Sequence, residues 1–127
     1  MIVREWMHPD LGNQVSAVEL VGWTRGDLVS EAYRRHASEP SSVLLQAECD
    51  GEIVGVAQVY RRNEKFWLEF IVVRYERSGV GSALMNKIVD LAGNDTIWLE
   101  AADTAIDFFR GWGFRNVNIM VLGDIST

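Results

Sequence analysis

The chain has 127 residues, 48% hydrophobic and 24% charged, with a formal net charge of -6 at pH 7. That length buries a sizeable core as one domain over residues 1–127. The acidic balance argues against general nucleic-acid binding, which needs a basic surface, and fits either a site for a cationic group or a solvated acidic face. Cys49 is the lone cysteine, so an internal disulfide framework is excluded and a reducing compartment is expected. No apolar run reaches the length of a membrane span, and Met1 to Trp6 lack the apolar stretch of a secretion signal. A cytoplasmic protein with no membrane partner is the expectation.

In chain order, Ile2 to Trp6 reads as a short strand. Val15, Val18, Leu20, Val21 and Trp23 have roughly helical spacing, with Asn13 or Ser16 as the cap. Gly26-Asp27 opens an amphipathic stretch from Leu28 to Ala37, with Leu28, Val29, Ala32 and Tyr33 on its apolar side, and Pro40 ends it. Val43 to Cys49, Glu52 to Arg62 and Lys65 to Val73 are rich in strand formers. They are separated by Asp50-Gly51 and Asn63-Glu64, which read as hairpin turns, so an antiparallel meander is predicted. Val80 to Ala92 carries Val80, Leu84, Ile88 and Leu91 at helical intervals, and Gly93 stops it. Thr96 to Ala101 is predicted as a buried strand, Ala105 to Trp112 as a helix closed by Gly113, and Asn116 to Leu122 as a single last strand.

The strand, crossover helix and strand from Lys65 to Ala101 make a parallel pair. The sheet is therefore mixed, and ligands of such sheets sit at strand carboxyl ends near a helix N-terminus. The loop Glu76-Arg77-Ser78-Gly79-Val80-Gly81 occupies that place. Its glycines let backbone amides converge where a helix begins, which suits a phosphate or pyrophosphate. A tight turn with no ligand is the competing account.

Glu76 to Leu84 resembles the pyrophosphate loop of the GNAT N-acetyltransferase superfamily, usually Q/R-x-x-G-x-G/A before an apolar helix. Ala105-Ile106-Asp107-Phe108-Phe109-Arg110-Gly111-Trp112-Gly113-Phe114 resembles that family's second signature, A-x-x-F-Y-x-x-x-G-F. The two in order, one helix and one strand apart, resemble the family from about Val43 to the C-terminus. The resemblance implies a mixed, mostly antiparallel α/β sheet with a central splayed parallel pair and flanking helices. It implies acetyl-CoA as co-substrate, its pantetheine arm along Ile71, Val72 and Val73 and its pyrophosphate on the amides of Arg77, Ser78, Gly79, Val80, Gly81 and Ser82. Arg74 or Arg77 would pair with CoA phosphates or be plain surface arginines. Phe108 and Phe109 would lie near the acyl group or be core aromatics, the core account being stronger for Phe108. The acceptor would be an amine of a small molecule or a protein, bound on the side of the N-terminal region, where Trp6 or Trp23 would line its pocket or simply fill the core.

Acyl transfer to an amine needs a base for the ammonium and a donor for the oxyanion. Glu69, set among Trp67, Leu68, Phe70 and Ile71, is the candidate base. The alternative is an outward strand glutamate paired with Arg61 or Arg62. Two residues depart from the family pattern: Glu76 stands where Gln or Arg is usual, and Phe109 where a tyrosine often protonates the leaving thiolate. Water, Tyr75 or Asp103 would then supply that proton. An acyl-CoA-binding regulatory module is the second functional expectation, and a homodimer through an exposed sheet edge is a further one. His8 and His36 have no companions at metal-ligand spacing, and no metal is expected.

Overall fold

Two dipeptides set the strand register. Asp50 and Gly51 have φ of 52° and 81°, and Asn63 and Glu64 have φ of 52° and 63°. Positive φ at both central residues gives the turn whose twist matches that of flanking antiparallel strands. The computed structural model describes residues 1–7, 11–101, 105–117 and 119–123. Around these turns β2 (Val43–Cys49), β3 (Glu52–Arg62) and β4 (Lys65–Val73) form an antiparallel meander, and β1 (Ile2–Trp6) pairs antiparallel with β2. The expected limits of all four strands hold. The helices are α1 (Gly26–Ser38), α2 (Val80–Ala92) and α3 (Ile106–Gly111). The sheet closes with β5 (Ile97–Leu99), β6 (Arg115–Val117) and β7 (Ile119–Leu122). The described strands form one seven-stranded sheet in the order β1-β2-β3-β4-β5-β7-β6, in which β4 and β5 are the parallel pair.

Alternation along the strands divides the core into two layers. Leu45, Ala57, Val59, Phe66 and Leu68 meet Val80, Leu84, Met85 and Ile88 of α2, with Phe109 of α3 and Phe114 beside them. The other face carries Leu44, Val56 and Val72 under Val29, Ala32 and Tyr33 of α1, joined by Trp6 and Trp23. The apolar stripes of α1 and α2 therefore face opposite sides of the sheet, as their spacing requires.

Two expectations are corrected. The apolar residues between Val15 and Trp23 do not share a helix face: Val15 and Trp23 are buried, whereas Val18 and Val21 are 82% and 87% exposed. Only a short 3-10 turn forms, Glu19–Gly22. The Ser16 hydroxyl braces its start, accepting from the Glu19 N–H (3.3 Å) and donating to the Glu19 carboxylate (3.0 Å). The last strand is not single. β6 folds back on β7, with Arg115 opposite Val121 and Val117 opposite Ile119. The reversal pairs the backbone of one segment with the other and leaves β6, not β7, at the sheet edge. Asn118 lies outside the described residues. The helix end at Gly113 is as expected: its φ is +96°, and the N–H groups of Gly113 and Phe114 return to the carbonyls of Arg110 and Phe109.

Candidate active site

The parallel pair is short. β5 meets β4 only at Phe66 and Trp67 among the described residues, while β4 runs on to Val73. The cause is a bulge. Gln58 of β3 lies opposite Phe70, but the next residue, Val59, lies opposite Leu68, so Glu69 is the extra residue on β4. A bulge bends its strand and re-aims one side chain; here it turns β4 away from β5. The Arg74 N–H donates to the Val54 carbonyl at 2.8 Å. By antiparallel alternation Val72 then bonds β3 in the same way, and the backbone groups of Ile71 and Val73 face the gap. Of the three residues expected to meet a pantetheine arm, two present their backbone to this opening.

At the end of β4 the chain turns through an exposed loop, with Arg77 at φ 56° and Gly79 at φ 84°. The Ser78 hydroxyl donates to the Tyr75 carbonyl at 2.7 Å and steadies the turn. Gly79 caps α2 with no side chain on its amides, and the first helical bond runs from the Ala83 N–H to the Gly79 carbonyl. The N–H groups of Val80, Gly81 and Ser82 meet no backbone acceptor among the described residues. They point out of the helix start with the positive end of its dipole. Gly55 lets this happen, because a Cβ there would lie 2.5 Å from Val80 Cγ1 and 3.0 Å from Leu84 Cδ1. A glycine inside a strand marks such a close approach, and that signal was present in the sequence.

The arginines near the loop differ. Arg74 is committed to Glu52 at 3.2 Å and stacks over Tyr75. Arg77 makes no ion pair among the described residues and is the cation left for an anion at the loop. Glu76 is exposed and forms no ion pair with either arginine. It therefore sits where water screens it from an anion on the amides.

Glu69 lies at the other end of the gap, and both its oxygens are engaged. Oε1 accepts from Arg35 of α1 at 2.6 Å, and Oε2 accepts from the Tyr60 hydroxyl at 3.2 Å. The partner is thus a helix arginine 34 residues away, not the cross-strand Arg61 or Arg62. Arg61 pairs with Asp95 and Arg62 with Glu39. Burial, and next the Glu69 carboxylate, push the Tyr60 phenol above its ordinary pKa. Beside Glu69 a cavity of about 230 Å³ opens between Arg35, Ser38 and Glu39 at the end of α1 and Gln58, Tyr60 and Arg62 of β3. Gln58 is 1% exposed. Its Nε2 donates to the Ser42 hydroxyl at 3.0 Å, and its Oε1 has no partner.

The aromatic residues exchange their expected places. Phe109 is 4% exposed and packs edge-on against Phe114 in the core. Phe108 is 38% exposed and stands over Gly81, where a Cβ would lie 3.2 Å from its ring. The reason is helical phase: neighbouring residues of α3 point about 100° apart, so only one can face the sheet. Trp6 and Trp23 are buried, 3% and 6% exposed, and neither lines the cavity beside Glu69. Asp103 and His8 lie outside the described residues. No group of three metal-ligating side chains occurs among the described residues, and none of their helices is long and apolar enough to cross a membrane.

A mixed sheet that splays at a bulge, with a glycine loop and bare helix amides at the mouth of the splay, has a shape and polarity that suit a phosphorylated, extended ligand. The chain matches the Acetyltransferase (GNAT) domain family over residues 13–121 and belongs to the GNAT acetyltransferases. No match is found among curated proteins. Several solved structures share the fold. A GNAT-family putative acetyltransferase from Desulfovibrio desulfuricans has a TM-score of 0.74 at 18% identity, covering 96% of this chain and 98% of its own. An aminoglycoside 6'-acetyltransferase type Ii has a TM-score of 0.69 at 23% identity, covering 100% and 99%. A GNAT acetyltransferase from Elizabethkingia anophelis, solved with acetyl-CoA bound, has a TM-score of 0.66 at 16% identity, covering 91% and 76%.

Proposed function

We propose that the chain is an N-acetyltransferase that moves the acetyl group of acetyl-CoA to a primary amine of a small molecule, a peptide or a protein. One observation carries this reading: β4 leads into a phosphate-type cradle at its carboxyl end, presents at Ile71 and Val73 a backbone edge that no described residue pairs, and carries at its middle a carboxylate beside a cavity. The amides of Val80, Gly81 and Ser82, with Arg77, suit the pyrophosphate. The backbone edge at Ile71 and Val73 suits the amide-bearing arm. In the transfer, the amine nitrogen bonds to the acetyl carbon while the carbon–sulfur bond breaks. Glu69, directly or through water, takes the proton that the ammonium must lose. A backbone N–H on the open edge of β4 steadies the oxyanion, and the second proton that the nitrogen sheds on becoming an amide passes through water to the departing thiolate. Glu69 serves once the incoming amine displaces Arg35 or Tyr60 from its oxygens.

A second reading has specific support. Glu69 is engaged on both oxygens, and position 109 holds a buried phenylalanine in place of a proton donor. Both fit an acyl-CoA-binding regulatory module with little turnover. Calorimetric titration with acetyl-CoA and a thiol-release assay over a panel of amines separate the two. Binding with turnover supports the enzyme, binding with no turnover on any amine supports the module, and no binding overturns both. The aminoglycoside acetyltransferase makes an aminoglycoside one member of that panel. A cytoplasmic location belongs to the same proposal, as does a homodimer, which sedimentation of the full chain tests.

A further inference from the structure

The cavity beside Glu69 carries both signs of charge in equal number. Glu39 and Glu69 oppose Arg35 and Arg62 around Tyr60. The tyrosine touches two of them: its hydroxyl donates to Glu69, and the Arg62 guanidinium lies over its ring, 5.0 Å from the centre. A carboxylate and a guanidinium are therefore held as separate charges against one tyrosyl side chain. Each has a partner that is provided for elsewhere. Arg35 also binds Glu31, at 2.8 Å, so it keeps an ion pair when Glu69 is taken. Glu39 also accepts from the Ser41 hydroxyl, at 3.1 Å, so it keeps a hydrogen bond when Arg62 turns away.

We infer that this cavity is the acceptor site and that its ligand is a small zwitterion, an amine with a carboxylate at the other end of a short chain. The inference rests on the acetyltransferase reading for its chemistry and on the cavity for its specificity. The ammonium meets Glu69, which lines the cavity beside the buried Gln58. The carboxylate meets Arg62, the guanidinium geometry being suited to two parallel hydrogen bonds. Entry of such a ligand exchanges ion pairs and leaves no charge bare, which avoids the main penalty of seating charges in a partly closed site. A polycation finds no net negative charge here. Size argues the same way: sites for drug-sized ligands run from about 300 to 1,000 Å³, and this one, at about 230 Å³, encloses something nearer a single amino acid.

The probes are β-alanine, γ-aminobutyrate and δ-aminovalerate, their methyl esters, and the diamines of matched length. Each is titrated calorimetrically into the CoA-saturated protein and assayed for thiol release with acetyl-CoA. At least one amino acid should bind and be acetylated, with its ester and its diamine at least about tenfold weaker in Kd and KM, the effect of losing a hydrogen bond to a charged group. Arg62→Gln, a change at an exposed side chain, should raise KM for the amino acid at least about tenfold with kcat little changed, leave the ester unaffected, and so erase the preference. A diamine or ester equal to the acid, or an Arg62→Gln variant that keeps the preference, overturns the inference. Turnover on other amines with none of the amino acids bound sinks the inference alone. Amino-acid binding that depends on Arg62 but gives no acetylation upholds the cavity and sinks the enzymatic reading.

Discussion

The two ends of the candidate site, the loop after β4 and the bulge at the middle of β4, are built in different ways. At the carboxyl end, ten consecutive residues or fewer make the cradle, and they make it mostly with backbone: Arg77 and Gly79 at positive φ, a glycine cap, and three bare amides of α2. At the bulge, Glu69 is reached by Arg35 across 34 residues and by Tyr60 across 9, and the cavity draws its walls from α1, β3 and β4. A backbone site needs only the right turn in front of a helix, so a short motif specifies it. A side-chain site needs a whole sheet and a docked helix before its groups meet. In the proposed function the first serves the co-substrate shared by a family and the second the acceptor.

Removing the base tests the second end alone. Glu69→Gln should lower kcat by about 10²- to 10⁴-fold, the usual contribution of a general base, with the Kd for acetyl-CoA from calorimetry unchanged. Turnover equal to the parent would leave Glu69 a structural ion-pair residue. Gly79→Asp is the mirror experiment. It puts a carboxylate against the bare amides at a φ of 84°, and a left-handed backbone costs a residue with a side chain about 1–2 kcal/mol. The Kd for acetyl-CoA should rise at least about tenfold, while the acceptor preference stays as it was. If the two variants shift the same parameter, the two ends are not separate sites.

The same contrast explains how much was legible in the sequence. The meander was readable residue by residue, because Asp50-Gly51 and Asn63-Glu64 fix the turns and apolar runs fill the strands between them. α2 was readable from the spacing of Val80, Leu84 and Ile88, and the loop before it from its glycines. The bulge at Glu69 was not, since Leu68, Glu69 and Phe70 alternate like any strand; only the partner strand shows that one residue is extra. The Arg35 pairing was invisible for the same reason. Phe108 and Phe109 are adjacent and chemically identical, so only the packing of α3 tells which one faces the loop. The segment from Val15 to Trp23 misled because helical spacing is also met by a single short turn with its valines in water.

Gly55 connects the two ends, since it seats α2 on β3. Gly55→Ala places a methyl group 2.5 Å from Val80 Cγ1, and such overpacking typically costs about 1–3 kcal/mol. Urea unfolding should show that loss. The helix start must also lift, so acetyl-CoA affinity should fall while the KM for the acceptor, measured at saturating acetyl-CoA, holds. A fall in both would mean that the cavity depends on the seat of α2 as much as the cradle does.

The smallest expected effect separates the cavity from the core layer beneath α1. Burial raises the Tyr33 phenol above its ordinary pKa, and burial with Glu69 raises that of Tyr60. A phenol that titrates higher in the folded chain than in the unfolded one favours folding while both are protonated, so this contribution is whole below pH about 10. It fades as pH rises through the folded values, because the unfolded chain then releases its protons first. Stability measured by urea unfolding should therefore fall above pH about 10. Tyr33, 8% exposed and holding the Val15 N–H at 3.3 Å, should account for more of the slope than half-buried Tyr60. Tyr33→Phe should flatten the alkaline limb more than Tyr60→Phe does, each compared with its own midpoint at neutral pH. The reverse order would place the tighter packing around Tyr60 and leave no open cavity beside Glu69.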